Sequence, residues 1–144
     1  MEYTISELAR LSGVSTRTLR YYDALGLLKP TRIHSSGYRI YDREAIDRLQ
    51  LILFYRELGF ALKTIKDLME ADDFDVLTAL RTHRKELLAR RKQLDLLIQT
   101  VEKTIQAKER GIAMSDQEKF IGFKERLIAE NEAKYGERST RKVW

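Results

Sequence analysis

Apolar residues at helical spacing open the chain, and the stripe they form consists of Ile5, Leu8 and Ala9. Thr4 and Glu7 stand three residues apart, as in a capping box, where each side chain accepts a hydrogen bond from the backbone N–H of the other residue. The pattern predicts a first helix that begins after Thr4 and ends near Leu11 or Ser12.

A second helical pattern follows Gly13, a residue that readily adopts the positive φ needed in a turn between packed helices. Ser15 is a preferred N-cap, so this helix should begin at about Thr16. The positions expected to face a core are Leu19, Tyr22 and Leu25. The positions expected on another face are Arg17, Arg20 and Tyr21. Together the two patterns predict a helix-turn-helix whose second helix is basic and faces outward.

Residues 31–41 change to the pattern of a strand, a Ser-Ser-Gly turn and a second strand. In the second strand two sets of side chains alternate, Tyr38 and Ile40 on one side, Arg39 and Tyr41 on the other. A hairpin that follows a helix-turn-helix is a wing, and wings commonly lie along the phosphate backbone of DNA. We therefore expect arginines and tyrosine hydroxyls of this hairpin to contact phosphate oxygens.

Two more helices are expected to complete a small core. One begins after Asp42 as N-cap and continues to about Leu58, where Gly59 stops it. The other follows Gly59, and its inward positions are Leu62, Ile65, Leu68 and Met69. Ala61 is a weak capping residue, so this fourth helix should start less firmly.

A long segment from Val76 to about Arg110 contains neither proline nor glycine. A helix of this length would extend roughly 50 Å. Its apolar residues recur in three- and four-residue steps if Arg84 and Arg91 are included, which is typical of a coiled-coil seam. The predicted dimerisation residues are Leu80, Leu87, Leu94, Ile98, Val101 and Ile105. The alternative, a helix packed on its own domain, is disfavoured because the preceding core is too small to cover such a length.

Beyond Gly111, Ser115 and Glu118 have the spacing of a second capping box. A continuous helix is expected there, with a stripe of Phe120, Phe123, Leu127 and Ile128. These residues and Tyr135 are too few to enclose a ligand, so we expect the chain to act at DNA without a small-molecule inducer.

Charge strengthens the case for a nucleic-acid partner. The 144-residue chain has a net charge of +5, and residues 15–41 alone contain five basic residues against one acidic residue. Arginine presents a planar fork of donors that fits guanine edges and phosphate oxygens. Lys63 and Lys66 are assigned either to phosphate contact or to ordinary solvated charge. The predicted DNA-binding residues are Ser15, Thr16, Arg17, Arg20, Tyr21, Tyr22, Arg32, Gly37, Tyr38, Arg39, Tyr41, Lys63 and Lys66.

Other classes of function have little support in the sequence. The chain has no cysteine, which excludes disulfides, thiolate metal sites and redox thiols. It lacks a phosphate-binding glycine motif, and its only histidines are His34 and His83, so His34 is better explained as a polar wing-tip residue than as a metal ligand or catalytic base. No signal peptide or membrane-spanning run is evident, so a cytoplasmic protein without a membrane partner is expected.

Several separate segments resemble the MerR family of bacterial transcription regulators, in the order and at the spacing found in that family. These segments are residues 4–9 (TISELA), 13–23 (GVSTRTLRYYD), 26–28 (GLL), 37–41 (GYRIY) and 58–60 (LGF). The resemblance covers residues 1 to about 110. A weaker resemblance, over residues 120–136, is to the start of the drug-binding domain in the TipA-type, multidrug-responsive branch.

The resemblance implies a mainly α fold in three parts. Residues 1–71 would form a winged helix-turn-helix DNA-binding head, residues 72–110 a linker and a long antiparallel coiled-coil dimerisation helix, and residues 111–144 the start or remnant of an effector-binding domain. It further implies a homodimer that binds promoter DNA and distorts an overlong spacer so that RNA polymerase engages both promoter elements. The sequence itself predicts no metal site and no cofactor, whereas the resemblance implies a nucleoid-associated location, and a hydrophobic drug ligand only if a full effector domain exists.

Two other interpretations remain open at this stage. A repressor or architectural protein would bind the same DNA without remodelling it. An interaction module would use the seam of the long helix to bind an unlike chain, whereas a self-dimer leaves no open seam.

Overall fold

A computed structural model of the protein describes residues 1–135, and of Tyr135 it describes the backbone alone. Within this range the chain forms six α-helices, a short 3-10 helix and a three-stranded sheet. It divides into two compact units, Met1–His83 and Arg84–Trp144. Residues 136–144, the end of the predicted effector-domain segment, lie outside the described residues. The three-part scheme of domains stays a prediction.

The predicted helix-turn-helix is confirmed. Helix α1 is Ile5–Ser12, and the Thr4 Oγ1 accepts the Glu7 N–H at 3.2 Å while Glu7 accepts the Thr4 N–H at 2.9 Å. Gly13 ends α1 with a φ of +79°. Helix α2 is Thr16–Ala24, and the Ser15 Oγ accepts the Thr18 N–H at 3.0 Å. Local capping therefore sets where each helix starts.

The predicted wing is also confirmed, as the hairpin of β2 (Arg32–Ile33) and β3 (Arg39–Tyr41). A third strand, β1 (Tyr3–Thr4), pairs antiparallel with the other edge of β3 and was not predicted. The strand order β1-β3-β2 makes β3 the centre of the sheet. The N-terminus and the wing are thereby joined just before α1 begins.

Two further helices complete the core of the first unit. Helix α3 is Arg43–Glu57, capped by the Asp42 carboxylate, which accepts the Ala45 N–H at 3.1 Å. Helix α4 is Leu62–Glu70, and Ala61 makes no side-chain capping bond there, as expected. The largest side chains that are fully buried belong to Leu8, Leu19, Leu27, Leu28, Tyr41, Ile52 and Ile65.

Two apolar residues that were predicted to be in the core lie at the surface. Leu25 is 37% exposed because α2 ends at Ala24, and the chain turns there so that Leu27 and Leu28 enter the core instead. Leu68 is 39% exposed because it lies about 100° around α4 from Met69, which is buried.

Helix α5 is Val76–Arg110, as the sequence predicted. Its first turns belong to the first unit, where Ala79 and Leu80 pack against the core. Leu80 was predicted to be a dimerisation residue, and this packing makes it part of the head. The His83 ring is buried between Phe54 and Tyr55, with ring centroids 5.7 and 4.4 Å away.

The second unit is built on the remainder of α5. The expected single helix after Gly111 is wrong: a 3-10 helix, Glu118–Phe120, is followed by a turn and then by α6, Lys124–Tyr135. The break falls at Gly122, which has a φ of +91° and lies against the backbone of α5 so closely that a β-carbon would be 3.0 Å from the Leu97 nitrogen. Only glycine fits both constraints.

Polar side chains of α5 hold residues 112–123, which we call the return segment. The Gln93 Nε2 donates to the Gly122 carbonyl at 2.7 Å, and the Thr100 Oγ1 donates to the Ile121 carbonyl at 2.5 Å. These bonds satisfy carbonyls that a continuous helix would have used internally. The return segment therefore packs along α5 before α6 begins.

His83 generates a prediction about pH. Neither ring nitrogen has a hydrogen-bond partner among the described residues, and burial lowers the pKa of His83. Below a pH of about 6.5 the unfolded chain therefore binds a proton that the folded chain resists, so stability falls as the pH decreases. Between pH 7.5 and pH 5.5, the free energy of unfolding measured in urea should fall by about 1 kcal/mol less in His83→Phe than in the wild type.

Equal losses of stability in the wild type and His83→Phe would contradict the assignment.

Candidate nucleic-acid interface

Helix α2 presents a basic face away from the core. Leu19 and Tyr22 are buried on one side, whereas Arg17, Arg20 and Tyr21 are exposed on the other. Among residues 1–135 neither arginine takes part in an ion pair or a side-chain hydrogen bond. Both guanidinium groups therefore have all of their donors available to a ligand.

Residues at the start of α2 organise the helix. The Ser15 hydroxyl caps the Thr18 N–H and also bonds the Thr18 hydroxyl at 2.9 Å, and Thr16 is half-buried. The first N–H groups of a helix lack intrahelical partners and attract anions. The contribution of this end to a binding surface therefore lies in its backbone.

The wing tip is ordered by its own side chains. The His34 and Tyr38 rings stack with centroids 4.2 Å apart and an angle of 10° between their planes. The Ser36 N–H donates to the His34 Nδ1 at 3.1 Å, and Gly37 takes a φ of +94°. Tyr38 remains exposed and is the wing tyrosine whose hydroxyl is open to a ligand.

Both wing arginines are paired with carboxylates of the head. Arg32 binds Glu2 through two nitrogens, at 2.8 and 3.4 Å, and this hydrogen bonding lowers the pKa of Glu2 and raises that of Arg32. The Arg39 Nε donates to the Asp23 Oδ2 at 3.0 Å. The sequence interpretation missed both partners. Asp23 carried a signal, since it is the only acidic residue among the cations of residues 15–41.

Two tyrosines that were predicted to bind DNA are buried. Tyr22 belongs to the core face of α2, and Tyr41 is fully buried although a strand alternation had placed it beside Arg39 on an outward side. The reason is that Tyr41 ends the central strand and packs on the helices, so its side of the sheet is the core side. Burial raises the pKa of Tyr41, and its hydroxyl has no hydrogen-bond partner in the described structure.

The two candidate lysines of α4 differ in position. A β-carbon at Gly26 would lie 3.3 Å from the Lys66 Nζ, so this ammonium group stands at the C-terminal end of α2. Lys29 is the neighbouring cation there, with its Cε 4.0 Å from the same point. Lys63 is exposed on the surface of α4.

In the second unit, α5 carries two separate faces. Counting 100° per residue, the apolar stripe lies within an arc of about 60°, whereas Gln93, Thr100 and Thr104, which hold the return segment, lie about 90° to 130° from its centre. The stripe is about half exposed and consists of Leu87, Leu94, Ile98, Val101 and Ile105. The return segment therefore leaves this stripe uncovered.

Two grooves border the return segment, with volumes of about 520 and 440 Å³. The first runs between α5 and the start of α6, and the second is lined mainly by Phe120, Phe123 and Leu127. Phe120 is still 60% exposed, so the second groove does not enclose it. Among the described residues no cluster of His, Cys, Asp or Glu fits a metal ion, and no helix is long and apolar enough to cross a membrane.

A helix-turn-helix with a wing, an outward pair of unpaired arginines and a long helix with an uncovered apolar stripe define the class of winged-helix regulators. Two family models match the chain, "MerR HTH family regulatory protein" over residues 3–72 and "MerR, DNA binding" over residues 46–104. The chain belongs to the MerR family.

Individual relatives agree with this assignment. The HTH-type transcriptional regulator SkgA of Caulobacter vibrioides is 41% identical over 145 residues, covering 98% of this chain and 57% of SkgA. The HTH-type transcriptional activator TipA of Streptomyces coelicolor is 39% identical over 123 residues, covering 85% of this chain and 49% of TipA. The chain thus spans about half the length of these curated relatives.

Solved structures match as well. A crystal structure of SkgA from Caulobacter crescentus has a TM-score of 0.81 at 42% identity and covers 92% of this chain and 96% of that one. HiNmlR, a MerR family regulator lacking the sensor domain, bound to promoter DNA, has a TM-score of 0.59 at 28% identity over 77% of this chain and 96% of its own.

The hydroxyl of the buried Tyr41 should contribute nothing to the stability of the fold. Because its hydroxyl has no partner, Tyr41→Phe should leave the free energy of unfolding unchanged or raise it by up to about 1 kcal/mol in urea denaturation. A loss of more than about 1 kcal/mol would mean that the hydroxyl is hydrogen-bonded in the folded protein.

Proposed function

We propose that this chain is a homodimeric, sequence-specific DNA-binding regulator that activates transcription by distorting its promoter. The observation that carries the proposal is the outward face of α2, on which Arg17 and Arg20 keep every guanidinium donor free while the opposite face is fixed in the core.

Recognition of base sequence is assigned to α2. Its nine residues extend about 13 Å, and a helix enters the major groove of B-DNA, which is about 12 Å wide. An arginine there can bind O6 and N7 of guanine with two parallel hydrogen bonds. Arg17 and Arg20 are one turn apart, so they can address neighbouring base pairs, and Tyr21 can contact the adjacent backbone.

Positioning on the phosphate backbone is assigned to the wing and to α4. Tyr38, the backbone of Gly37 and the terminal nitrogens of Arg39 would meet one strand, and Lys66 would meet phosphate beside the end of α2. Arg32 contributes less, because Glu2 already binds it through two nitrogens. Phosphate contacts of this kind fix register and supply affinity without reading sequence.

Dimerisation is assigned to the uncovered stripe of α5. These side chains are about half exposed, so burying the remainder of each is worth roughly 1 kcal/mol, and an identical stripe is the simplest cover for it. An antiparallel pair would place the two heads at opposite ends of the seam, related by a two-fold axis. Arg84 and Arg91 lie beside the stripe and are exposed, so their charges stay at its edge.

Activation by distortion is the finer part of the proposal. TipA is named a transcriptional activator, and HiNmlR is bound to promoter DNA. Phosphate contacts from two heads at fixed spacing can offset the cost of bending and untwisting a promoter, which would bring both of its elements to RNA polymerase. The alternative is a repressor or architectural dimer that binds the same site unchanged. Either role places the protein in the cytoplasm with the nucleoid.

Two linked experiments test the proposal. Selection of purified protein against a pool of random duplexes should yield an inverted repeat, which we call the selected operator; failure to enrich any sequence would contradict sequence-specific binding. Transcription in vitro from a promoter with an overlong spacer that contains this operator should rise when the protein is added, and a fall would favour the repressor.

Arg20→Ala should lose discrimination at particular base pairs. We expect a loss of about 1–3 kcal/mol at one or two positions, because a bidentate contact to guanine is removed, and a similar loss at different positions for Arg17→Ala. Lys66→Ala should instead weaken binding to all sequences by the same factor. Binding across a library of operator variants measures this, and identical profiles for Arg20→Ala and Lys66→Ala would refute the division of roles.

The seam is tested by Leu94→Glu combined with Ile98→Glu. Two carboxylates in the apolar stripe should raise the dimer dissociation constant on the order of 100-fold or more, giving monomers in sedimentation. The matched control is Gln99→Glu with Gln106→Glu, which adds the same charge on a polar face of α5 and should stay dimeric. A dimeric Leu94→Glu, Ile98→Glu variant would show that the seam lies elsewhere.

A further inference from the structure

We propose that Asp23 is a positioning residue for DNA binding, which clamps the wing to α2 through Arg39. The inference rests on the proposed function, because it concerns how two parts of the same DNA-binding surface are held. Asp23 is the one acidic residue among the five basic residues of residues 15–41, and its carboxylate binds a cation that is a candidate for phosphate contact.

The bond joins two elements that carry different parts of the candidate DNA-binding surface. The Arg39 Nε on β3 donates to the Asp23 Oδ2 near the end of α2 at 3.0 Å. Within the described residues this is the one hydrogen bond between α2 and the hairpin of residues 31–41. The pairing of β3 with β1 anchors the base of the wing, and this bond is the polar contact that ties the wing directly to the helix proposed to read bases.

The bond also sets how Arg39 can be used. It engages Nε and leaves the two terminal nitrogens of the guanidinium without a partner among the described residues. The side chains of Arg39 and Asp23 are 32% and 21% exposed, so the pair is partly shielded from solvent and remains partly accessible. A guanidinium held at one nitrogen can still bind a phosphate with the other two.

The surroundings place the clamp within one electrostatic cluster. The pKa of the buried Tyr41 phenol is raised mainly by burial, and the charges of Arg39, Asp23 and Arg20 all act on it as well. Arg20 of the reading face and Arg39 of the wing thus share a neighbourhood with Asp23. Moving the Arg39 side chain changes the position of the wing cation relative to the base-reading cation.

A simple count of charge gives the opposite expectation, which makes the proposal testable. Removing a carboxylate beside DNA normally strengthens binding, since it removes repulsion from phosphates. If Asp23 clamps the wing, its loss must weaken binding to the selected operator in spite of the added positive charge. Binding to unrelated duplex, which depends on charge alone, should stay equal or become tighter.

The experiment measures dissociation constants of full-chain variants for the selected operator and a scrambled duplex over a series of salt concentrations. Asp23→Ala should weaken operator binding by about tenfold while binding to scrambled duplex does not weaken. Asp23→Asn keeps an oxygen that accepts from the Arg39 Nε, so it should recover most of the operator affinity. The charge-matched control is Glu57→Gln, at an exposed position at the end of α3, and this substitution should not weaken binding to either duplex.

A double-mutant cycle separates a clamp from damage to the fold. Asp23→Ala should have little further effect once Arg39→Ala is present, because the bond is already lost, and thermal melting should show all variants folded. If Asp23→Ala melts at a lower temperature than the wild type, Asp23→Asn is compared with the wild type instead, through the ratio of its affinity for the operator to its affinity for the scrambled duplex. A ratio equal to that of the wild type supports the clamp. A ratio as low as that of Arg39→Ala overturns it.

Operator binding by Asp23→Ala that equals or exceeds the wild type, as for Glu57→Gln, would overturn the clamp. Full additivity of the Asp23 and Arg39 substitutions would overturn it as well. These results differ from failure of the proposed function, in which the wild type itself would not distinguish the selected operator from the scrambled duplex.

Discussion

The structure depends on the burial of one side of a helix that is too short to be stable by itself. Helix α2 has nine residues, and isolated helices of that length are marginal in water. Leu19 and Tyr22 fix its inner side, while α1, the residues that follow α2 and the helices α3 and α4 supply the surface against which they pack. Because the core holds α2 from one side alone, its other side can carry arginines that nothing in the head neutralises.

The same constraint explains why the cations of the head are not equivalent. In the proposed function, arginines that bind bases must have free donors, and Arg17 and Arg20 form no ion pair in the described structure. In the same proposal the guanidinium groups of the wing must have a fixed orientation, and both Arg32 and Arg39 are held by carboxylates from elsewhere in the head. The net charge of residues 15–41 therefore overstates the charge available to DNA, and the distribution of partners among the arginines is more informative than their number.

Local signals in the sequence were enough for most of the fold. The caps at Thr4, Ser15 and Asp42 predicted the starts of α1, α2 and α3, and the lack of Pro and Gly after Val76 predicted α5.

Features that depend on residues distant in the chain were missed. Strand β1 exists because β3 offers it an edge, and the break at Gly122 exists because α5 lies against it. The burial of His83, the packing of Leu80 and the pairing of Arg39 with Asp23 have the same origin.

The proposed function requires that two such heads, joined by the stripe of α5, read DNA with two-fold symmetry. A hydroxyl-radical footprint of the wild-type protein on its selected operator tests this most directly. We expect two equal protected regions related by a dyad, whereas a single protected region at saturating protein would contradict a two-fold symmetric dimer.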